Sequence, residues 1–344
     1  MITKADLLSY VPPTFVRLSA CSACQLACPV CDPHTRPEKR NGVLGWGYLR
    51  AKDFAAFIRA NPSVKTIELS HSGEIFLNPE LGAIIKDACE QGVTLTARSG
   101  VNFNRVSPAM CEDLVKYRFR YLNVAIDGGD EESYAKYRVG GSFTQVINNI
   151  KTLNFYKEKY DSALPELEWQ FIPFAHNEHV VLKAMTLARE LKMVFKIKLN
   201  SRTEYAPVKN KALIRYLSGS NSATRQEYSD QYGLSLYLSC YQLWTAPQIN
   251  WDGKMTGCCA NYFGDTGNVF QDGLEAVMKS KRYLDMKMTV LGLIKPGSDV
   301  PCSRCPSYLS EVPMTTMIRS TLKSALFPVP GAPSLSEALS LKQS

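Results

Sequence analysis

The sequence predicts an α/β fold in which six βα units form a partial, TIM-like (β/α)6 barrel, followed by a small C-terminal cysteine-rich domain. Three observations carry that expectation. Short β-branched or aromatic runs alternate with amphipathic segments as far as residue 200. Each run with its following segment spans about 30 residues, the length a βα unit requires. The stretches richest in reactive side chains fall where the runs end, the face on which parallel barrels carry their working groups.

Taken in order, the strands are Phe15–Ser19, Lys65–Ser70, Val93–Ala97, Tyr121–Ile126, Glu168–Ile172 and Val194–Leu199. All are short and rich in residues that suit a pleated, half-buried surface. Between them lie Ala51–Ala60, Pro79–Gln91, Pro108–Lys116, Phe143–Lys159 and Glu178–Leu191, whose apolar residues recur at helical spacing. Asn177 is a suitable N-cap for the last of these. Right-handed crossovers curl such a sheet toward a barrel. Six units rather than eight leave it open, with a lateral mouth.

Beyond residue 200 the pattern changes. The Ser/Asn-rich stretch from Leu217 to Tyr228 reads as a loop or linker, and Trp251-Asp252-Gly253 reads as the turn of a β-hairpin that returns toward Cys258 and Cys259. A helix follows over Gly273–Lys281. The expected organisation is therefore a barrel over 1–215, a linker over 216–235, a cysteine-rich domain over 236–310 and a tail over 311–344. The tail carries Pro and Gly-Ala-Pro before a weak helical pattern and receives no role.

Composition narrows the function classes. A hydrophobic content of 45% and a charged content of 21% describe an ordinary globular chain. The opening MITKADLLSY lacks the basic start and apolar core of an export signal, and no run approaches the roughly 20 apolar residues of a membrane span, so a cytoplasmic location is expected. Eleven cysteines in such a chain point to metal or redox chemistry rather than a disulfide framework. Cys89 and Cys111 sit in helical patterns and read as buried small hydrophobes. The net charge of +8 is spread along the chain without a dense basic run interleaved with aromatics, so no nucleic-acid partner is expected. A docking face for an acidic electron donor of the flavodoxin or ferredoxin type fits it better.

The chemistry begins at Cys24-Gln-Leu-Ala-Cys28-Pro-Val-Cys31, three thiols in the loop after the first strand. Tetrahedral zinc takes four ligands, and Cys21 could complete such a set as Cys21-x2-Cys24-x3-Cys28-x2-Cys31. Three thiolates suit a [4Fe–4S] cube better, leaving one iron free. This spacing resembles the radical S-adenosylmethionine (SAM) superfamily. The resemblance implies that the free iron chelates SAM, and that one-electron reduction releases a 5′-deoxyadenosyl radical that abstracts hydrogen from substrate.

Further segments resemble the same superfamily. His71-Ser72-Gly73-Glu74 stands where relatives have Gly-Gly-Glu-Pro, with Ser72 and Ile75 as departures. A protonated amine wants acceptors, and Gly permits close backbone approach. Arg98-Ser99-Gly100 replaces Thr-Asn-Gly, and Ala125-Ile126-Asp127-Gly128 precedes Tyr134-Ala-Lys-Tyr-Arg138. That last run is similar to the branch with SPASM and Twitch cluster domains, where the matching arginine pairs with the SAM carboxylate, a task for a planar bidentate donor. Ala125 stands where relatives carry a Ser, so Ser99 or a backbone amide must supply that contact. The resemblance thus implies SAM contacts at Ser72, Gly73, Glu74, Ser99, Asp127, Arg138 and Lys198. His176 could reach the mouth, although a lone His is more often structural. Lys198, Asn200 and Arg202 point there if strand alternation holds.

In the second half, Cys240, Cys258, Cys302 and Cys305 offer four thiols, enough to saturate one [4Fe–4S] cluster. Adjacent strand residues face opposite ways, so only one of Cys258 and Cys259 is expected to ligate. The set resembles a one-cluster Twitch region, with spacing similar to alcohol-oxidising aminosugar dehydrogenases of the group. A saturated cluster passes electrons, which suits net oxidation of a small molecule such as a sugar or aminocyclitol. Peptide modification is the alternative, and a zinc-binding module on an α/β scaffold a more distant one. No catalytic residue is identifiable; Lys198, Glu204, Tyr262 and Asp265 are candidate bases.

Overall fold

A computed structural model of the protein describes residues 4–31, 42–232 and 239–309. Eight strands form one sheet in the order β6-β5-β4-β3-β2-β1-β7-β8. They are β1 (Phe15–Leu18), β2 (Thr66–Glu68), β3 (Thr94–Val101), β4 (Tyr121–Ala125), β5 (Glu166–Phe171), β6 (Val194–Ile197), β7 (Gln248–Ile249) and β8 (Met255–Gly257). β1 to β6 run parallel in sequence order, as five successive right-handed crossovers demand. This is the partial (β/α)6 barrel, open because among the described residues no pairing joins β6 back to the other edge.

Strand alternation sorts the side chains onto two faces. Val16, Leu18, Ile67, Leu69, Leu95, Ala97, Leu122, Val124, Leu167, Trp169 and Phe171 are all buried and pack with Phe54, Ile84, Leu114, Ile150 and Ala184 from the crossover helices. Burying a side chain of that size is worth about 1.5–3 kcal/mol, so this face fixes the register. The opposite face is polar. Parallel register aligns Gln248, Arg17, Glu68, Thr96 and Tyr121 across the sheet, with Arg98, Asn123, Glu168, Gln170 and Lys196 on the same face. Full eight-stranded barrels fill this space with Val, Ile and Leu. Here it is a polar hollow.

Several expected boundaries shift. β3 runs on to Val101, through Arg98-Ser99-Gly100, because a register slip between Ala97 and Val101 absorbs Gly100 at φ +108°. The stretch from Leu217 to Tyr228 is not a simple linker: it closes the helix Lys211–Ser218 and opens another over Arg225–Tyr232. The expected helix Gly273–Lys281 is instead two, Leu274–Lys279 and Lys281–Val290, split at Ser280, whose hydroxyl caps the second through the Tyr283 amide. Cys111 is buried as expected, but Cys89 is only half-buried. The tail over 311–344 and the start of the cysteine-rich domain at 236 lie outside the described residues.

The hairpin β7–β8 does not stand apart. β7 adds in parallel beside β1, and Leu243, Met255, Tyr283 and Met286 join the same hydrophobic core as the barrel. The turn is locked to the segment after the first cysteine loop: Trp251 donates its indole N–H to the Leu44 carbonyl at 2.8 Å, and Asn250 donates to Leu44 at 3.0 Å. Gly47 then lies flat against the Trp251 ring, where a Cβ would come within 2.4 Å of ring carbon. Because that ring is held, Gly47→Ala is expected to destabilise the fold by about 1–3 kcal/mol. Denaturant unfolding measures this, and a Trp251→Phe background should absorb part of the loss.

Candidate functional site

The three-cysteine loop is fixed from several sides. The Ser22 amide donates to the Gly47 carbonyl at 3.1 Å, the Ala27 amide to Val139 at 2.9 Å, and the Glu74 amide to Ala23 at 2.8 Å. Gly73 is needed at the last junction, because a Cβ there would fall 2.5 Å from the Ala23 carbonyl oxygen. The Asn102 side chain at the end of β3 donates to Cys24 Sγ at 3.5 Å and accepts from Gln25 at 2.8 Å. Arg138 points a guanidinium nitrogen at Cys28 Sγ, 3.8 Å away. Cys21 is spent elsewhere: its thiol donates to the Ala23 carbonyl and accepts from the Ala23 amide at 3.1 Å.

Burial pushes the Cys24 thiol up to about 12, and the nearby Glu74, Cys28 and Cys31 add to it. Such a trio ionises together only around a positive centre. Among the described residues no three His, Cys, Asp or Glu side chains are arranged to hold a single metal ion. Cys21 is engaged locally, which leaves three thiols on this loop, the number a three-thiolate cluster uses and one fewer than a zinc knuckle needs.

Beside the loop, Glu74 is fully buried and accepts from the Asn102 amide at 2.5 Å and the Phe76 amide at 3.4 Å. Desolvation nevertheless raises its carboxyl to about 7. The Ser72 hydroxyl is buried with no partner, and so is the Arg138 Nε. Arg138 is held by a short charge-assisted bond to Asp127, which also accepts the Ile172 amide at 2.6 Å. Each oxygen of Asp127 thus already has one protein donor, and this carboxylate, expected at the cofactor, lies against Arg138. Its backbone is left-handed at φ +54°, a conformation Asp tolerates better than most residues. Asn177 is not the side-chain N-cap expected: its amide bridges the carbonyls of Asp127 and Ile172, both at 2.9 Å.

The remaining expected residues divide. Ser99 lies at the hollow, where its hydroxyl accepts from Arg17 at 2.7 Å. Lys198 reaches the same wall and donates to Gln170 at 2.9 Å. Asn200 points back into its own loop, bonding the Ala206 carbonyl and the Arg202 amide. Glu204 is exposed beside Arg202, and Asp265 accepts from the Gly267 amide in a turn. Tyr262 packs at a tilt against Phe263, with ring centres 4.2 Å apart. His176 stacks on Phe174 with ring centres 5.2 Å apart, an aromatic packing role. Residues not foreseen include Asn102, which ties Cys24, Gln25 and Glu74 together, and Glu68, which accepts from Ser70, Thr96 and the amides of Arg98 and Ser99. A polar residue at alternating strand positions was their only signal.

In the second half, Cys240, Cys258, Cys302 and Cys305 are all buried, while Cys259 is half-buried. Burial raises the Cys258 thiol far above the ordinary range, with Cys240, Cys259, Cys302 and Cys305 all contributing. Cys258 follows β8 rather than lying on it, because Gly257 turns the chain at φ +80°. Cys259 is pinned by Gln242, whose amide donates to Sγ at 3.4 Å and accepts from the Cys259 amide at 2.8 Å.

Comparison with known proteins agrees with this geometry. The description "Radical SAM superfamily" matches residues 18–156, and "Iron-sulfur cluster-binding domain" (SPASM) matches residues 240–306. No curated protein matches the chain. Among solved structures, Streptococcus suis SuiB superposes at TM-score 0.62 and 15% identity, over 88% of this chain and 73% of SuiB. SuiB bound to precursor peptide SuiA gives 0.59 and 14%, over 89% and 72%. The structure of anSMEcpe with bound AdoMet gives 0.54 and 12%, over 96% and 98%. At these identities the likeness is one of fold. The two matched segments each enclose one of the two cysteine sets, so the chain carries a radical SAM domain and a C-terminal SPASM-type domain, with SAM and [4Fe–4S] clusters as their cofactors.

Proposed function

We propose that the protein is a radical SAM oxidoreductase with one catalytic and one auxiliary cluster, acting on a small molecule such as a sugar or aminocyclitol. The observation that carries this is the convergence of Cys24 and Cys28 with Asn102, Glu74 and Arg138 on one loop. In this reading Cys24, Cys28 and Cys31 hold the catalytic cluster. Bound there, the cluster would supply one-electron reduction of SAM, the chemistry from which hydrogen abstraction at a substrate carbon would follow.

The chain's own residues bind and orient. Gly73 lets the backbone approach closely, and Glu74 offers a carboxylate to an ammonium group; a cation there would draw its pKa back down. Arg138 keeps Nε unspent for a carboxylate, and Asp127 fixes the plane of its guanidinium. The Ser72 hydroxyl is a further unspent group on this wall. In the same reading the buried Cys240, Cys258, Cys302 and Cys305 hold the auxiliary cluster, and four thiolates would leave it no open position, so it carries electrons rather than substrate. A flavodoxin- or ferredoxin-type protein would feed the first electron.

A peptide substrate is the second reading. It is favoured by the shared fold with SuiB, whose structure was determined with a precursor peptide bound.

Anaerobically reconstituted protein should carry about eight irons per chain and form 5′-deoxyadenosine from SAM with dithionite. Two zincs and no SAM cleavage would overturn the proposal. Cys28→Ala should abolish 5′-deoxyadenosine formation, whereas Cys302→Ala should retain part of it; equal loss in two folded variants would contradict the division of labour. Asp127→Ala leaves a buried guanidinium unpaired and should cost about 3–5 kcal/mol in denaturant unfolding. Asp127→Asn keeps the side chain's size and should fold while binding SAM more weakly in equilibrium dialysis.

A further inference from the structure

The hollow face of the sheet carries more positive charge than its acids neutralise. Three acids on this wall are already committed. Glu68 accepts from Ser70 at 2.6 Å, Thr96 at 2.7 Å and the amides of Arg98 and Ser99. Glu168 accepts from Tyr121 at 2.6 Å and pairs with Lys196 at 3.6 Å. Asp127 is taken by Arg138 and the Ile172 amide.

Arg17, Arg98 and Lys198 face the same space from β1, β3 and the end of β6, and among the described residues none of them pairs with a carboxylate. Arg17 is half-buried, and its guanidinium meets only neutral acceptors, Gln248 at 3.0 Å and Ser99 at 2.7 Å. Arg98 lies over the Tyr121 ring, 4.2 Å from its centre, which fixes the plane of the guanidinium and leaves its N–H edge open. Lys198 donates only to the Gln170 amide. Burial, with Arg225 and Arg138 nearby, lowers its amine to about 8, as expected of a cation lacking a counter-ion.

Arginines and lysines on a half-enclosed wall are costly without an anion, and planar guanidinium forks match carboxylate and phosphate oxygens. We propose that the hollow is an anion site, with Arg17 and Arg98 taking a carboxylate or phosphate group of the substrate and Lys198 closing its rim. This rests on the radical SAM reading above and adds to it the charge of the substrate. The acid or phosphate end sits down in the hollow, and the carbon to be oxidised points up toward the cysteine loop at the strand ends.

The test is calorimetric titration of the reconstituted holoenzyme with inorganic phosphate and with succinate, each against sodium chloride at matched ionic strength. At least one anion should bind above the chloride background, and whichever binds tighter assigns the group as phosphate or carboxylate. Arg98→Gln and Arg17→Gln should each weaken that binding about tenfold or more. Lys151→Gln, which removes one exposed charge outside the hollow, should leave it unchanged. Arg98 is exposed to the hollow, so its variant is readable even if Arg17→Gln fails to fold. Absence of binding, or equal weakening in Lys151→Gln, overturns the inference. Formation of 5′-deoxyadenosine from SAM, measured on the same wild-type sample, separates the cases: if it persists without anion binding, only the anion site falls.

Discussion

A parallel sheet covered by helices on one face only is the constraint from which the rest follows. Every second strand residue is apolar and drives the helices onto the outer face, which sets the register of all six parallel strands. The other half of each strand is thereby released from core packing. With six βα units the inner face does not close, so it can hold Arg17, Glu68, Arg98, Tyr121, Glu168 and Lys196 where a closed barrel would hold branched aliphatics. Stability and chemistry are carried by the same strands but by alternate residues.

The two cysteine sets are not independent appendages. Ser22, inside the first loop, bonds Gly47; Gly47 packs on Trp251; and Trp251 sits in the hairpin whose return strand leads to Cys258. Arg17 offers a second link, since it reaches Ser99 on one side and Gln248 of β7 on the other. These contacts are short, rigid and made largely through backbone and ring atoms. The two cysteine sets are thereby joined through the barrel and not through a free linker.

Much of the barrel was legible because its signal is local. The helices Ala51–Ala60, Pro108–Lys116 and Phe143–Lys159 and all six parallel strands follow from periodicity within short windows. Gly73 and the cysteine trio were equally legible, since both are short motifs with a chemical reason for their spacing. What escaped depends on contacts between distant residues. Placement of β7 beside β1 is a pairing across more than two hundred residues, with no periodic trace. The bridging roles of Asn102 and Asn177 exist only once three strand ends are brought together. Asp127 was named from the family pattern, but its commitment to Arg138 and the Ile172 amide could not be read from spacing.

Charge placement gives the site its direction. Glu74 is buried, and Arg138 largely so, within reach of the cysteine loop, yet they are not paired with each other: Arg138 turns to Asp127, and Glu74 accepts only backbone amides. A direct Glu74–Arg138 ion pair would have satisfied both and left nothing for a ligand. Holding them apart leaves an acceptor and a donor separately exposed to whatever enters between them. A zwitterion, with one ammonium and one carboxylate, is the ligand type that satisfies both without altering the net charge of the pocket. The polar hollow below instead carries an excess of cations, so the two spaces suit different groups. Binding energy from the lower space can then be spent on orienting a substrate against the upper one, which is how a non-reacting group comes to determine the position of the reacting carbon.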